Sequence, residues 1–272
     1  MSQTLPSIFA ICDKQYQRLE EALLAVGKLY KSKRAAEAEE ALLFLEIYAA
    51  LVGRLRQREE LHLPDAFKRL QRYFRRTRHL KAIENQYAHF GKALALRLPS
   101  YAQALEKEKL SLYAEAFEEV HTLTPAAHAA FYKALHKGSK AVEPLTLHQT
   151  SQALVEEELA FIRFCDGDLL DAPQWRQVYE ALQRVVVLEN IRLSVGLESI
   201  FLPEMHQRFT ELLVAIRHWF EVQLFLQHLS YFVSMEEQTQ EAYRTFLAKV
   251  RARRKAQVAH SASLLKAITK CL

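Results

Sequence analysis

The chain has 272 residues, half of them hydrophobic and a quarter charged, which is enough apolar material for a real core in an ordinary soluble domain. With only six glycines and seven prolines there are few turn residues for a many-stranded sheet, and no uncharged apolar run of about 18 residues exists to span a membrane. The formal charge of 37 − 32 = +5 is concentrated in the first half: residues 1–136 hold 21 basic and 16 acidic groups, residues 137–272 hold 16 of each.

Hydrophobic periodicity and proline punctuation predict nine helices and no strand, an all-α chain. The N-terminus, "MSQTLPSIFAICDKQ", has no charged leader followed by an apolar run, so a cytoplasmic location is expected. The first helix spans 6–31 and holds Cys12. The second, 34–60, contains the mostly apolar and acidic "EEALLFLEIYAALVGRLR" and ends in Arg54, Arg56 and Arg58. The third, 64–95, opens after Pro64. Helices at 99–121 and 125–137 follow, then 145–166, 173–200, 203–233 and 236–269. Each of Pro99, Pro125, Pro144, Pro173 and Pro203 stands at a helix start, where its fixed φ and missing N–H are tolerated.

The third helix carries the most unusual stretch, "FKRLQRYFRRTRHLK", with seven Lys or Arg between Phe67 and Lys81 and no acid. At helical spacing Lys68, Arg72, Arg75 and His79 fall within a sector of about 60°. Leu70, Tyr73, Phe74, Thr77 and Leu80 lie broadly opposite. Like charges three and four residues apart repel by about 0.2–0.5 kcal/mol per pair. An acid-free stripe therefore suggests a partner anion, and the planar fork of Arg suits phosphate oxygens. Arg54 and Arg58 join the patch if the second and third helices form a hairpin. The candidate anion site is thus Lys68, Arg69, Arg72, Arg75, Arg76, Arg78 and His79 with Arg54 and Arg58. Nucleic acid ranks below polyphosphate as its ligand, because Tyr73 and Phe74 face the apolar side and form no stacking platform. An acidic protein face is a further possible partner.

Other constellations carry less. E-x-x-H occurs at Glu59–His62 and Glu118–His121, but at helix ends rather than mid-bundle where di-iron ligands belong. "DGDLLD", Asp166 to Asp171, lacks the closing Glu of a calcium loop and reads as a helix–helix turn with an Asp N-cap. The three cysteines have no metal or disulfide spacing, and Cys12 and Cys165 read as small buried apolar residues. Trp175 and Trp219 read as core. "KVRARRK", Lys249 to Lys255, is a second basic run, either an exposed helix segment or a second contact for a long anion. No catalytic, cofactor or metal motif is found, so no enzyme is expected.

The chain also repeats itself. "LHLPDAFKRLQRYFRRTRHLKA" from Leu61 and "IFLPEMHQRFTELLVAIRHWFE" from Ile200 both contain Leu-Pro, with an Arg-His pair that begins fourteen residues after the proline; Pro64 and Pro203, and Arg78 and Arg217, are both 139 apart. This predicts two four-helix repeats related by a pseudo-two-fold, at 1–138 and 139–272, with helix 125–137 as the connector and the whole forming one compact unit. In the second copy Phe209, Leu213, Ile216, Phe220 and Leu224 make the apolar face, and Gln207, Glu211, Val214 and His218 the outer one.

At these two helices the sequence resembles the CHAD family, the conserved histidine α-helical domain. "RRTRHLKAIENQ" is similar to that family's G-x-x-R-D pattern, with Arg78 in the Arg place and His79 replacing the Asp. "AIRHWFEVQLFLQHL" is similar to G-x-W-H-D, with Trp219 in the Trp place, Phe220 replacing the His and Glu221 keeping an acid. The family's H-x-x-R hallmark on the preceding helix has no counterpart in "EEALLFLEIYAALVGRLR" or "WRQVYEALQRVVVLENIR". The resemblance implies a duplicated helical fold and non-enzymatic binding of inorganic polyphosphate or a similar polyanion. The alternative is a degenerate CHAD-like scaffold or protein-interaction module without anion binding.

Overall fold

The computed structural model describes residues 7–57, 61–165, 170–235 and 241–272. Among them are nine α-helices and no strand: α1 (Ile8–Lys28), α2 (Ser32–Leu55), α3 (Asp65–Leu94), α4 (Pro99–Thr122), α5 (Pro125–Ser139), α6 (Pro144–Arg163), α7 (Ala172–Ser194), α8 (Pro203–Ser234) and α9 (Glu241–Thr269). The chain is an all-α helical bundle, as its periodicity predicts. No helix of the described residues is long and apolar enough to cross a membrane.

The helix ends follow local chemistry. Ser7 caps α1 by accepting from the Phe9 N–H at 3.2 Å. Asp171 and Gln174 form a reciprocal capping box at the start of α7, the Asp cap expected there; residues 166–169 of "DGDLLD" lie outside the described residues. Four predicted helices run too long, the first of them α1, which stops at Lys28 rather than 31. α7 stops at Ser194 rather than 200 because Gly196 takes a left-handed φ of 81°, which glycine adopts without strain. α2 stops at Leu55 because Gln57 turns to φ 48°. α6 ends at Arg163, short of 166.

Helices α1 to α4 have 21, 24, 30 and 24 residues; α6 to α9 have 20, 23, 32 and 29. Yet the hydrophobic interior does not divide at residue 138. One core joins α1, α2, α5, α6 and α7 with the first halves of α3 and α8 and the end of α9. A second joins α4 and the start of α9 with the later parts of α3 and α8, through Leu80, Ile83 and Phe90 on α3 and Val222, Phe225 and Leu229 on α8. α3 and α8 are the two longest helices, about 45 Å each, and both span the two cores. They pack against each other where one core gives way to the other, with His79 edge-on to Phe220 at 5.5 Å. α5 is fastened to α1 and α2: the Tyr16 hydroxyl donates to the His128 carbonyl at 2.7 Å, and Tyr48 and Ser139 share a buried hydrogen bond at 2.7 Å. Gly138 permits this approach, since a Cβ there would sit 2.3 Å from Val52 Cγ1.

Trp175 and Trp219 are core residues, each 1% exposed, with ring centroids 6.1 Å apart. Trp219 also re-centres the face of α8. The buried row is Phe209, Leu212, Ile216 and Trp219, and the expected Leu213, Phe220 and Leu224 are only half-buried at its margins. Gln207, Glu211, Val214 and His218 are exposed, on the outer face assigned to them. Cys12 is buried, and burial pushes its thiol up to about 12; Cys165 is only half-buried and Cys271 is exposed. His121 ends α4 with its ring against Phe117 at 4.6 Å, whereas Glu59 lies outside the described residues.

Candidate functional site

α2, α3, α7 and α8 enclose a groove of about 1130 Å³. The amphipathic spacing of α3 builds one wall. Phe67, Leu70, Phe74, Thr77 and Leu80 are buried, which turns Lys68, Arg72, Arg75 and His79 into the groove together with Arg69 and Arg78. The facing wall comes from α7 and α8. Arg176, Tyr179, Glu180, Gln183 and Arg184 follow one another at i, i+3, i+4, i+7 and i+8 on α7, while Ile216, Phe220 and Leu224 give α8 an apolar surface there. α2 supplies acids: Glu39, Glu40 and Glu46.

These acids change the character of the stripe. Arg78 holds Glu39 in a two-pronged pair, Nε to Oε2 at 2.7 Å and an N–H donated to Oε1 at 2.9 Å, and Arg75 approaches the same carboxylate at 3.7 Å. Glu39 is 8% exposed; burial pushes its carboxyl up, and Arg78 and Arg75 oppose the shift. Arg69 bonds Glu119 of α4 at 2.8 Å. Lys68 lies 3.8 Å from Asp65, and Lys81 3.1 Å from Glu84. Arg72 alone in the stripe has no ion pair among the described residues, and it is exposed at the groove.

Three guanidinium groups converge on His79. Arg75 and Arg78 come from its own helix, and Arg176 crosses from α7 to lie over the Phe220 ring at 5.3 Å, the ring His79 touches. Burial, then Arg78, Arg75 and Arg176, push the imidazole down to about 3, so it is neutral. Arg217 is held high chiefly by Tyr179, which also accepts its hydrogen bond, with Glu221 and Glu40 nearby. Arg184 is committed to Glu158 of α6 at 2.5 and 3.0 Å. The groove therefore has eight Lys or Arg and six carboxylates on its walls, and its positive focus is local, around the neutral imidazole of His79 and the Phe220 edge.

Six of the expected site residues meet in this groove: Lys68, Arg69, Arg72, Arg75, Arg78 and His79. Three do not. Arg76 turns toward α4, 3.4 Å from Glu115 and over the Tyr73 ring at 5.7 Å, because its position on α3 lies beside the α4 contact. Arg54 points the other way, to Glu157 of α6, since the last turn of α2 faces α6 and α5; there Arg56 also donates to the Gly138 carbonyl at 2.8 Å. Arg58 lies outside the described residues. Sequence reasoning missed Arg176 and Arg184, though their spacing with Tyr179 and Gln183 was a legible polar stripe. It noted the acids of α2 but did not pair them with the stripe, which Glu39 in fact faces. Compared with protein-family models, curated proteins and solved structures, the chain matches none.

Proposed function

We propose that the chain binds an extended polyanion, inorganic polyphosphate or a similar phosphate chain, in the groove between α3 and α7–α8, without catalysis. The observation that carries this reading is the convergence of Arg75, Arg78 and Arg176 around His79, with Arg72 uncommitted at the groove surface. Guanidinium groups crowded on one point repel, and a phosphate entering there relieves the repulsion while releasing counterions. The matching order of helix lengths in the two halves supports a duplicated, CHAD-like origin, in which Arg78 takes the family's Arg place.

A second reading has its own support. Glu39, Glu115 and Glu119 already neutralise Arg78, Arg76 and Arg69. A stripe so paired suits a scaffold whose cations hold helices together and bind no anion. Titration with long-chain polyphosphate at two salt concentrations separates the two, using the intact chain and the Arg72→Glu, Arg176→Glu variant. Salt-sensitive binding lost in the variant supports the groove. Binding that the variant keeps, or no binding at low salt, leaves the scaffold.

A further inference from the structure

The second basic run behaves differently from the first. Lys249, Arg251, Arg253, Arg254 and Lys255 lie on α9, and none of them has an ion pair among the described residues. α9 packs on α8 and, slightly, on α3, so most of its circumference faces solvent. At 100° per residue Lys249 and Arg253 form one exposed ridge and Arg251 and Lys255 another, about 160° apart. Between them run Ala248, Ala252, Ala256 and Ala259, all exposed. The face is thus a smooth alanine floor, roughly 16 Å long, between two cationic rails.

We propose that this outer face of α9 binds the phosphate backbone of duplex nucleic acid, independently of the groove. A major groove about 12 Å wide admits an α-helix between two phosphate strands. Rails on both sides of the helix meet both strands, and alanines between them let it come close. A single phosphate chain needs only one rail. A protein partner fits less well, because interface cores want aromatic or other large apolar anchors and no large hydrophobic side chain is exposed on α9. Among the described residues the acid beside the rails is Glu211, across a cleft from Arg253, and it already accepts a hydrogen bond from Gln207 at 2.8 Å. The contacts reach phosphates and no base edge, so binding is independent of sequence. The groove lined by α3, about 1130 Å³ in volume, lies among α2, α3, α7 and α8 and shares no lining residue with the rails, which keeps the two surfaces separable.

The test is fluorescence anisotropy of the intact chain with a labelled mixed-sequence DNA duplex of about 20 base pairs, at about 50 and 200 mM salt. With four rail cations engaged, affinity should fall roughly a hundredfold between those salts. Arg251→Glu with Lys255→Glu, and Lys249→Glu with Arg253→Glu, should each cost about tenfold or more, and the same pairs changed to Gln somewhat less. Arg72→Glu with Arg176→Glu should change affinity less than about twofold. Melting curves confirm that each variant folds. No binding at the lower salt overturns the proposal, and so does full affinity in both rail variants or an equal loss in the groove variant. Poly-glutamate of matched charge competing as well as unlabelled duplex also overturns it, in favour of an acidic protein. Failure of polyphosphate to bind the groove leaves this surface untouched.

Discussion

α3 and α9 carry the same formal charge. Eight basic and two acidic residues on α3 give +6, and seven and one on α9 give +6. Their fates differ because of their neighbours. α3 lies between α2 and α4, whose Glu39, Glu115 and Glu119 reach across to Arg78, Arg75, Arg76 and Arg69. α9 rests on the edge of the bundle, and its cluster from Lys249 to Lys255 meets no carboxylate among the described residues. Charge density along a helix therefore does not measure how much charge is available to a ligand. Half of the α3 stripe is structural, while the rails of α9 are spare.

The largest expected difference between the two helices is in stability. Arg78→Ala strips the buried Glu39 of its two-pronged partner and should cost about 2 kcal/mol in urea unfolding. Arg251→Ala on α9 should stay within about 0.5 kcal/mol. Equal costs would break the comparison. Next in size, Glu39→Gln should raise polyphosphate affinity about fivefold, roughly 1 kcal/mol, by freeing Arg78 and Arg75. It should also lower the melting temperature, so titration and melting move in opposite directions. A double-mutant cycle on Arg69 and Glu119 should return about 0.2–1 kcal/mol, because the Arg is half exposed. The smallest effect near neutrality is that of pH. His79 is held at about 3 in the folded chain and takes its ordinary value of 6.5 when unfolded, so the unfolded state binds the extra proton. Stability from this group is full above the ordinary value and is lost as pH falls below it toward 3. His79→Gln should flatten that decline in acid-denaturation curves.

Much of the bundle was legible because helical periodicity and proline starts are local signals. The groove face of α3 was legible too: Lys68, Arg72, Arg75 and His79 emerge together as their spacing dictates. What was not legible is the identity of the neighbour across each helix. Nothing in "FKRLQRYFRRTRHLK" says that Glu39, one of three acids clustered between Glu37 and Glu40 in α2, will take Arg78. Nor does it say that Arg76, one residue beyond Arg75, will belong to α4. The end of α7 was missed for a smaller reason, since Gly196 marks the stop plainly and was overrun. The shared interior of the two halves is a long-range outcome that the similar stretches from Leu61 and Ile200 do not contain.

That shared interior bears on how the chain assembles during synthesis. Leu80, Ile83 and Phe90 emerge early, yet their packing partners Val222, Phe225 and Leu229 emerge some 140 residues later. Contacts so distant in sequence delay closure of the second core, and the α3–α4 hairpin must wait with its apolar side uncovered until α8 and α9 leave the ribosome. Neither half completes either hydrophobic core by itself. Severed between α5 and α6, the two pieces should be inert alone and should recombine when made together.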